Sequence, residues 1–270
     1  MSEKEIKPRR HRIEEEVKCI IFVFAVIFCS LCIVRPIVQA NIKGEEILAV
    51  SAAKKDLPIY CVDTPEKKVA ISFDAAWGSS HTEELLSILK EKDVKATFFL
   101  CGYWIDKYPE LVKKINDEGH TLGNHSNTHP HGSHLSLEEN KNEIMTVHNK
   151  INELCGVTMQ LYRPPFGEYN DTVLRAVREC GYYAIQWDID SLDWKEYPAN
   201  DEVKRVLSHK HLGNGSIILF HNDAKYTPDA LVDIIDGLRG KGYEIVPIEE
   251  LIYKDDFYID HEGRQCRGSK

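Results

Sequence analysis

Six side chains of the kinds that move protons or bind cations stand at or just past the carboxyl ends of apolar runs in this chain. Asp74 closes "VAISFD" inside the stretch "SFDAAWG"; His125 and His129 stand four apart in "HSNTH"; and Arg163 opens "RPPFG". Asp193 lies with Asp188, Asp190, Trp187 and Trp194 in "WDIDSLDW", and His221 ends "SIILFH". A carboxylate accepts protons, an imidazole exchanges them or binds a metal, and a guanidinium keeps a nearby carboxylate ionised. Taken singly, each signal is weak. With 12 histidines in 270 residues, roughly 0.5 His pairs at this spacing arise by chance. Arg163 before two prolines reads equally as a rigid turn, and a lone His221 on an apolar strand reads as a core histidine. Their common position at the ends of successive apolar runs is what argues for a site.

That position depends on the elements. Strand-like runs occur at 69–74, 96–101, 120–125, 161–163, 183–188, 216–221 and 243–248, separated by amphipathic stretches such as "HTEELLSILKEK", "SLEENKNEIMTVHNKINELCG" and "PDALVDIIDGLRGKG". Leu137, Ile144, Ile151 and Leu154 keep helical spacing on the longest of these. Alternation of this kind predicts an α/β fold of βαβ units with a parallel sheet, and about seven units is near the count that closes a barrel. An open doubly wound sheet would want a glycine-rich phosphate loop after an early strand, and neither GxGxxG nor GxxxxGK is present. In parallel α/β folds the carboxyl ends of the strands carry the site, which is where these polar residues collect.

Composition narrows the class further. The chain is 43% hydrophobic and 29% charged with a formal charge of −9, enough for one large domain and without a basic stripe, which excludes nucleic acid as a partner. Residues 19–34, "CIIFVFAVIFCSLCIV", are uncharged and apolar; Arg9, Arg10, Arg12 and Lys18 precede them, and "VQA" ending at Ala40 follows. Basic residues before the run favour an uncleaved anchor with the amino terminus inside, whereas the small residues favour cleavage after Ala40. Either reading exports the remainder. The sequence thus predicts a cytoplasmic stretch 1–18, a transmembrane anchor or uncleaved signal segment 19–38, a linker 39–66, one domain 67–252 and a polar tail 253–270. Cys61, Cys101, Cys155, Cys180 and Cys266 are dispersed without CxxC spacing, so buried free thiols are the expectation.

In the order "SFDAAWG", "HSNTH", "RPPFG", "DIDSLDW", "LFH", the chain resembles the polysaccharide deacetylases (NodB-homology domain, carbohydrate esterase family 4) over about residues 67–252. The "FDxxWG" form is most similar to the sporulation-type subgroup. The resemblance implies a distorted (β/α) barrel of about seven parallel strands. It also implies hydrolysis of the acetamide of N-acetylated sugars in a cell-wall glycan, peptidoglycan being favoured by export, with a divalent metal of the Zn or Co class. It assigns His125 and His129 to the metal, Asp74 to the base that takes a proton from water, and His221 to the acid that protonates the departing amine. Arg163 would hold Asp74 ionised, and Asp193, with Asp190 in reserve, would orient His221. Trp194 and Leu219 would wall the pocket for the acetyl methyl, and Tyr169 would contact substrate or offer a backbone N–H.

One position departs from the family pattern. Two adjacent aspartates are usual, the second a metal ligand, and here that second residue is Ala75. Three outcomes follow: a weakened site on two histidines and water; a replacement ligand, for which His81, His131 and His134 are in reach by sequence; or an impaired deacetylase-fold protein that binds cell-wall glycan. A metallopeptidase is set aside because HExxH is absent. Oligomeric state is not addressed by these features.

Overall fold

The computed structural model describes residues 56–268. Its strands are β1 (Cys61–Val62), β2 (Lys68–Ala75), β3 (Thr97–Leu100), β4 (Thr121–Asn124), β5 (Leu161–Tyr162), β6 (Tyr183–Ala184), β7 (Ile189–Asp190), β8 (Ile217–His221), β9 (Glu244–Ile245), β10 (Phe257–Ile259) and β11 (Arg264–Arg267). Its helices are α1 (Thr82–Glu91), α2 (Gly102–Lys107), α3 (Pro109–Asp117), α4 (Leu137–Cys155), α5 (Asp171–Glu179), α6 (Ala199–Leu207), α7 (Thr227–Gly240) and α8 (Ile248–Leu251).

Seven parallel strands pair in the order β6-β5-β4-β3-β2-β8-β7, and β9 pairs with the start of β2. The two edge strands β6 and β7 are consecutive in sequence, joined only by residues 185–188. Laid flat, seven strands would hold their edges about 29 Å apart, whereas so short a link reaches about 18 Å at most. The sheet must therefore curl until its edges face each other, and the expected distorted barrel results. The seam is filled from the amino end. Ile59 donates to the Ala184 carbonyl at 2.8 Å and accepts from the Gln186 N–H at 2.7 Å, while Val62 donates to Gly215 at 3.0 Å.

Alternation along the strands separates two cores. Val69, Ile71, Phe73 and Ala75 of β2 face the helices in the larger apolar cluster, with Phe98 and Leu100 of β3. Ala70 packs in a smaller cluster with Phe99, Leu161, Ile185, Ile217 and Ile248. Ser72 and Asp74 continue the inner row of β2, so the same register that builds the barrel core aims Asp74 at its mouth. Local signals set the helices. Ser136 and Glu139 form a reciprocal capping box at the start of α4, and Gly156 ends it in a left-handed conformation at φ 70°.

The expected linker and tail differ from what is observed. Cys61 and Val62 pair with Arg264 and Gln265, and β10 pairs antiparallel with β11, forming a three-stranded sheet from both ends of the described chain. Strands this short with mixed polar residues lack the alternation that marks a strand in sequence. No helix among the described residues is long and apolar enough to cross a membrane, and the segment 19–38 lies outside them.

Candidate active site

Asp74 is anchored from below. Arg163, wholly buried on its own strand end, donates from Nη1 to Asp74 Oδ1 at 2.7 Å, and from Nη2 to Ser72 Oγ at 3.0 Å and the Gln186 carbonyl at 3.1 Å. Its guanidinium lies 4.1 Å from the centre of the Phe99 ring. Burial alone would push the Asp74 carboxyl up, but the charges of Arg163, His125 and His221 and the Arg163 hydrogen bond outweigh it and hold the group below the usual carboxylate range. Removing either partner of so buried a pair would strand the other charge.

His125 follows β4, its Nδ1 donating to the Arg163 carbonyl at 2.7 Å. That bond fixes the tautomer and leaves Nε2 facing Asp74 Oδ2 at 3.5 Å. The loop to His129 bends through two left-handed non-glycine residues, Ser126 at φ 66° and His129 at φ 54°. It is held by Ser126 N–H to Asn124 Oδ1 at 3.0 Å and His129 N–H to Ser126 Oγ at 3.0 Å. The strained turn brings the two imidazole centres to 4.9 Å. Burial, assisted by His125, pushes His129 down to about 4, and burial likewise lowers His125 despite the nearby Asp74. Both rings are thus neutral near pH 7, the form that binds metals.

His221 is the register partner of Asp74 across β2 and β8. Its Nδ1 donates to Asp193 Oδ1 at 2.7 Å and its backbone N–H to Asp193 Oδ2 at 2.6 Å. Burial pulls the imidazole down, but the hydrogen bond and charge of Asp193, with Asp74 and Asp190 behind them, raise it above its ordinary value. Asp190, the reserve for this role, instead accepts the Leu192 N–H at 2.8 Å.

Asp74, His125, His129, Asp193, Trp194, Leu219 and His221 line one cavity of about 560 Å³. Trp77, Phe166 and Trp194 stand exposed around it. Tyr169 is placed elsewhere: it is not among the lining residues and its hydroxyl bonds to that of Tyr60 at 3.1 Å. Phe166 and Gly167 of the same loop reach the cavity instead. Gly78, at φ 47°, lets the chain turn tightly beneath Asp223, since a Cβ there would lie 1.8 Å from the Asp223 carboxylate.

The donors present suit a divalent cation. His125 offers Nε2, and His129 Nδ1 is buried without a hydrogen-bond partner. Ala75 is wholly buried on the helix side of β2. The suggested replacements do not join the histidine pair: His81 faces Glu84 at 3.6 Å, His131 bonds to Glu168 at 2.7 Å, and His134 packs beside His131. The residue that does is Cys101, whose Sγ and one ring nitrogen each of His125 and His129 lie within 4.8 Å of one another. Burial, and then the Asp74 charge, push its thiol up. Cys101 follows β3 at the same end as the other site residues, but it packs with Ala75 in the helix-side cluster, so in the sequence it reads as an ordinary core thiol.

Comparison with known proteins places these features. The polysaccharide deacetylase family profile matches residues 62–185. The peptidoglycan-N-acetylmuramic acid deacetylase PdaA of Bacillus subtilis is 30% identical over 205 residues, spanning 74% of this chain and 77% of that protein. A peptidoglycan-N-acetylglucosamine deacetylase of Bacillus cereus is 34% identical over 198 residues, 71% of each chain. Among solved structures, the wild-type form of a CE4 family pseudoenzyme from Bacillus anthracis matches with a TM-score of 0.69 at 29% identity, covering 79% of this chain and 73% of that one. A mutant of the same pseudoenzyme with restored enzymatic activity matches with a TM-score of 0.69 at 34% identity, covering 72% and 70%.

Proposed function

This chain belongs to the polysaccharide deacetylase family, and from that premise we propose that it hydrolyses the acetamide of N-acetylated sugars in peptidoglycan. The observation that carries the reading is the opposed pair: Asp74 held by the Arg163 guanidinium, and His221 held at Nδ1 by Asp193, which favours its charged form, register partners on one cavity. Asp74 takes a proton from the attacking water as the new C–O bond forms. His221, its Nδ1 bound to Asp193, presents Nε2 to the leaving nitrogen and gives it a proton as the C–N bond breaks, releasing acetate and a free amine. His125 and His129 would hold a divalent metal, which when bound would polarise the carbonyl and lower the pKa of water. Trp77, Phe166 and Trp194 offer flat apolar faces to sugar rings, and Leu219 and Trp194 line the same cavity, where they would hold an acetyl methyl. Residues 19–38 would hold the protein at the membrane, with the domain on the outer side facing the wall.

Acetate release from peptidoglycan by the full chain tests this. Turnover is expected, and Asp74→Asn is expected to lower it about 10²-fold or more. A second reading is favoured by one observation, Ala75 at the usual ligand position: a deacetylase fold that binds glycan without turning it over. Glycan binding without acetate release, with release appearing in Ala75→Asp, would select that reading.

A further inference from the structure

Cys101 stands one residue beyond Leu100, the register partner of Ala75, and its N–H donates to the Ala75 carbonyl at 3.1 Å. It therefore occupies the strand end next to the vacated ligand position. Its thiol is wholly buried and at present donates to the His125 carbonyl at 3.1 Å. His125 Nε2 is left free by the bond from Nδ1 to Arg163, and His129 Nδ1 is buried with no partner. We propose that Cys101 is the third protein ligand of a Cys-His-His metal centre, its thiolate supplying the anionic donor that Ala75 does not. The inference deepens the deacetylase reading and rests on it for the purpose of the centre.

The geometry is close to what such a centre needs. Around a tetrahedral zinc with Zn–S of about 2.3 Å and Zn–N of about 2.0 Å, ligand atoms of one thiolate and two imidazoles lie about 3.3–3.5 Å apart. The observed spread of up to 4.8 Å closes by side-chain movement on the order of 1 Å. On binding, the S–H bond breaks, a sulfur–metal bond forms and the proton leaves to solvent, so the metal gains one negative ligand just as a carboxylate would give it. The exchange of oxygen for sulfur carries a preference: a thiolate favours Zn²⁺ and Co²⁺ over Mg²⁺ and Ca²⁺. Three protein ligands also leave a coordination position open to substrate or water.

The test is cobalt titration of the metal-stripped full chain under reducing conditions, followed in the near-ultraviolet for thiolate-to-cobalt charge transfer. The wild type is expected to bind one Co²⁺ with that band. Cys101→Ser should lose it and bind at least about 10-fold more weakly. Cys101 is the N-cap of α2, where serine is a preferred residue, so this variant keeps the fold; Cys101→Ala serves as a second variant. Ala75→Asp with Cys101→Ser should regain affinity without the band. Cobalt bound by the wild type without charge transfer, equal affinity in Cys101→Ser, or no cobalt binding at all would each overturn the assignment. Acetate release measured on the same samples separates the two claims. Release without the band removes Cys101 and leaves the deacetylase; the band without release from any glycan keeps the centre and removes the reaction.

Discussion

Asp193 accepts from the His221 ring and from the backbone of His221 and Trp194, and from Thr227 Oγ1 at 3.2 Å, so its carboxylate is fixed in rotation as well as in place. Because its bond and charge raise His221, the proposed acid should stay protonated above the ordinary histidine range, and acetate release is expected to fall as pH rises through that raised value. The lowered Asp74 sets the other limb below the usual carboxylate range, as a base must be ionised to act. Asp193→Asn should therefore lower kcat/KM about 10²-fold and shift the alkaline limb to lower pH, read from the pH–rate profile of acetate release. An unmoved alkaline limb would deny Asp193 this role. At this scale most of the site was legible: Asp74, His125, His129, Arg163, Asp193 and His221 are strand-end residues of telling types. Cys101 was not, because a single thiol on an apolar run reads as core, and only the barrel's curvature shows which end of β3 meets the two histidines.

Elements were legible where hydrophobic period was long and lost where it was short. The run "YAIQWD", expected as one strand, is paired as β6 only over Tyr183–Ala184, and β7 begins after the chain has crossed the seam. The apolar residues between serve that crossing, with Ile185 in the inner core and the Gln186 carbonyl on Arg163. Helix α6 follows its expected amphipathic pattern but buries Glu202 four residues before Val206, on the face where an apolar residue belongs. Neither Glu202 oxygen makes a well-formed hydrogen bond, and burial, then the Asp193 charge, outweigh the weak approach of Thr227 and push the carboxyl up to about 8. Between the ordinary glutamate value and that raised one, the folded protein keeps a proton that the unfolded chain has lost, so stability falls as pH rises across the window and stays low above it. Glu202→Gln should remove most of this decline, worth on the order of a few kcal/mol, when melting is compared at pH 5 and pH 9. An unchanged pH slope would mean that Glu202 finds a partner in the folded state.

For the molecule as a whole, barrel closure depends on segments far from the catalytic motifs. The family match ends at Ile185, at the seam, while His221 and Asp193 come from the half beyond it. Across that seam the segment 59–62 bonds to both sides, and it is itself held by the carboxyl-terminal hairpin. Tyr60 donates to the Gly263 carbonyl at 2.9 Å and Asp63 to that of Gln265 at 2.8 Å. Gln265, wholly buried, accepts from the Tyr253 N–H at 2.9 Å and donates to the Tyr253 carbonyl at 2.7 Å. Deleting residues 254–270 would break these four bonds and leave Tyr60 and Tyr253 half-buried and Asp63 exposed without them. At about 0.5–1.5 kcal/mol for each bond, and more where a buried group is left unpaired, the loss should reach about 3 kcal/mol or more. Denaturant unfolding of the full chain and the deletion variant measures it. The consequence for function follows from the geometry: once segment 59–62 loosens, the Gln186 carbonyl that helps seat Arg163 loses its place, so metal affinity and turnover should fall together with stability. A deletion variant with full stability and full turnover would mean that the seam closes without the hairpin.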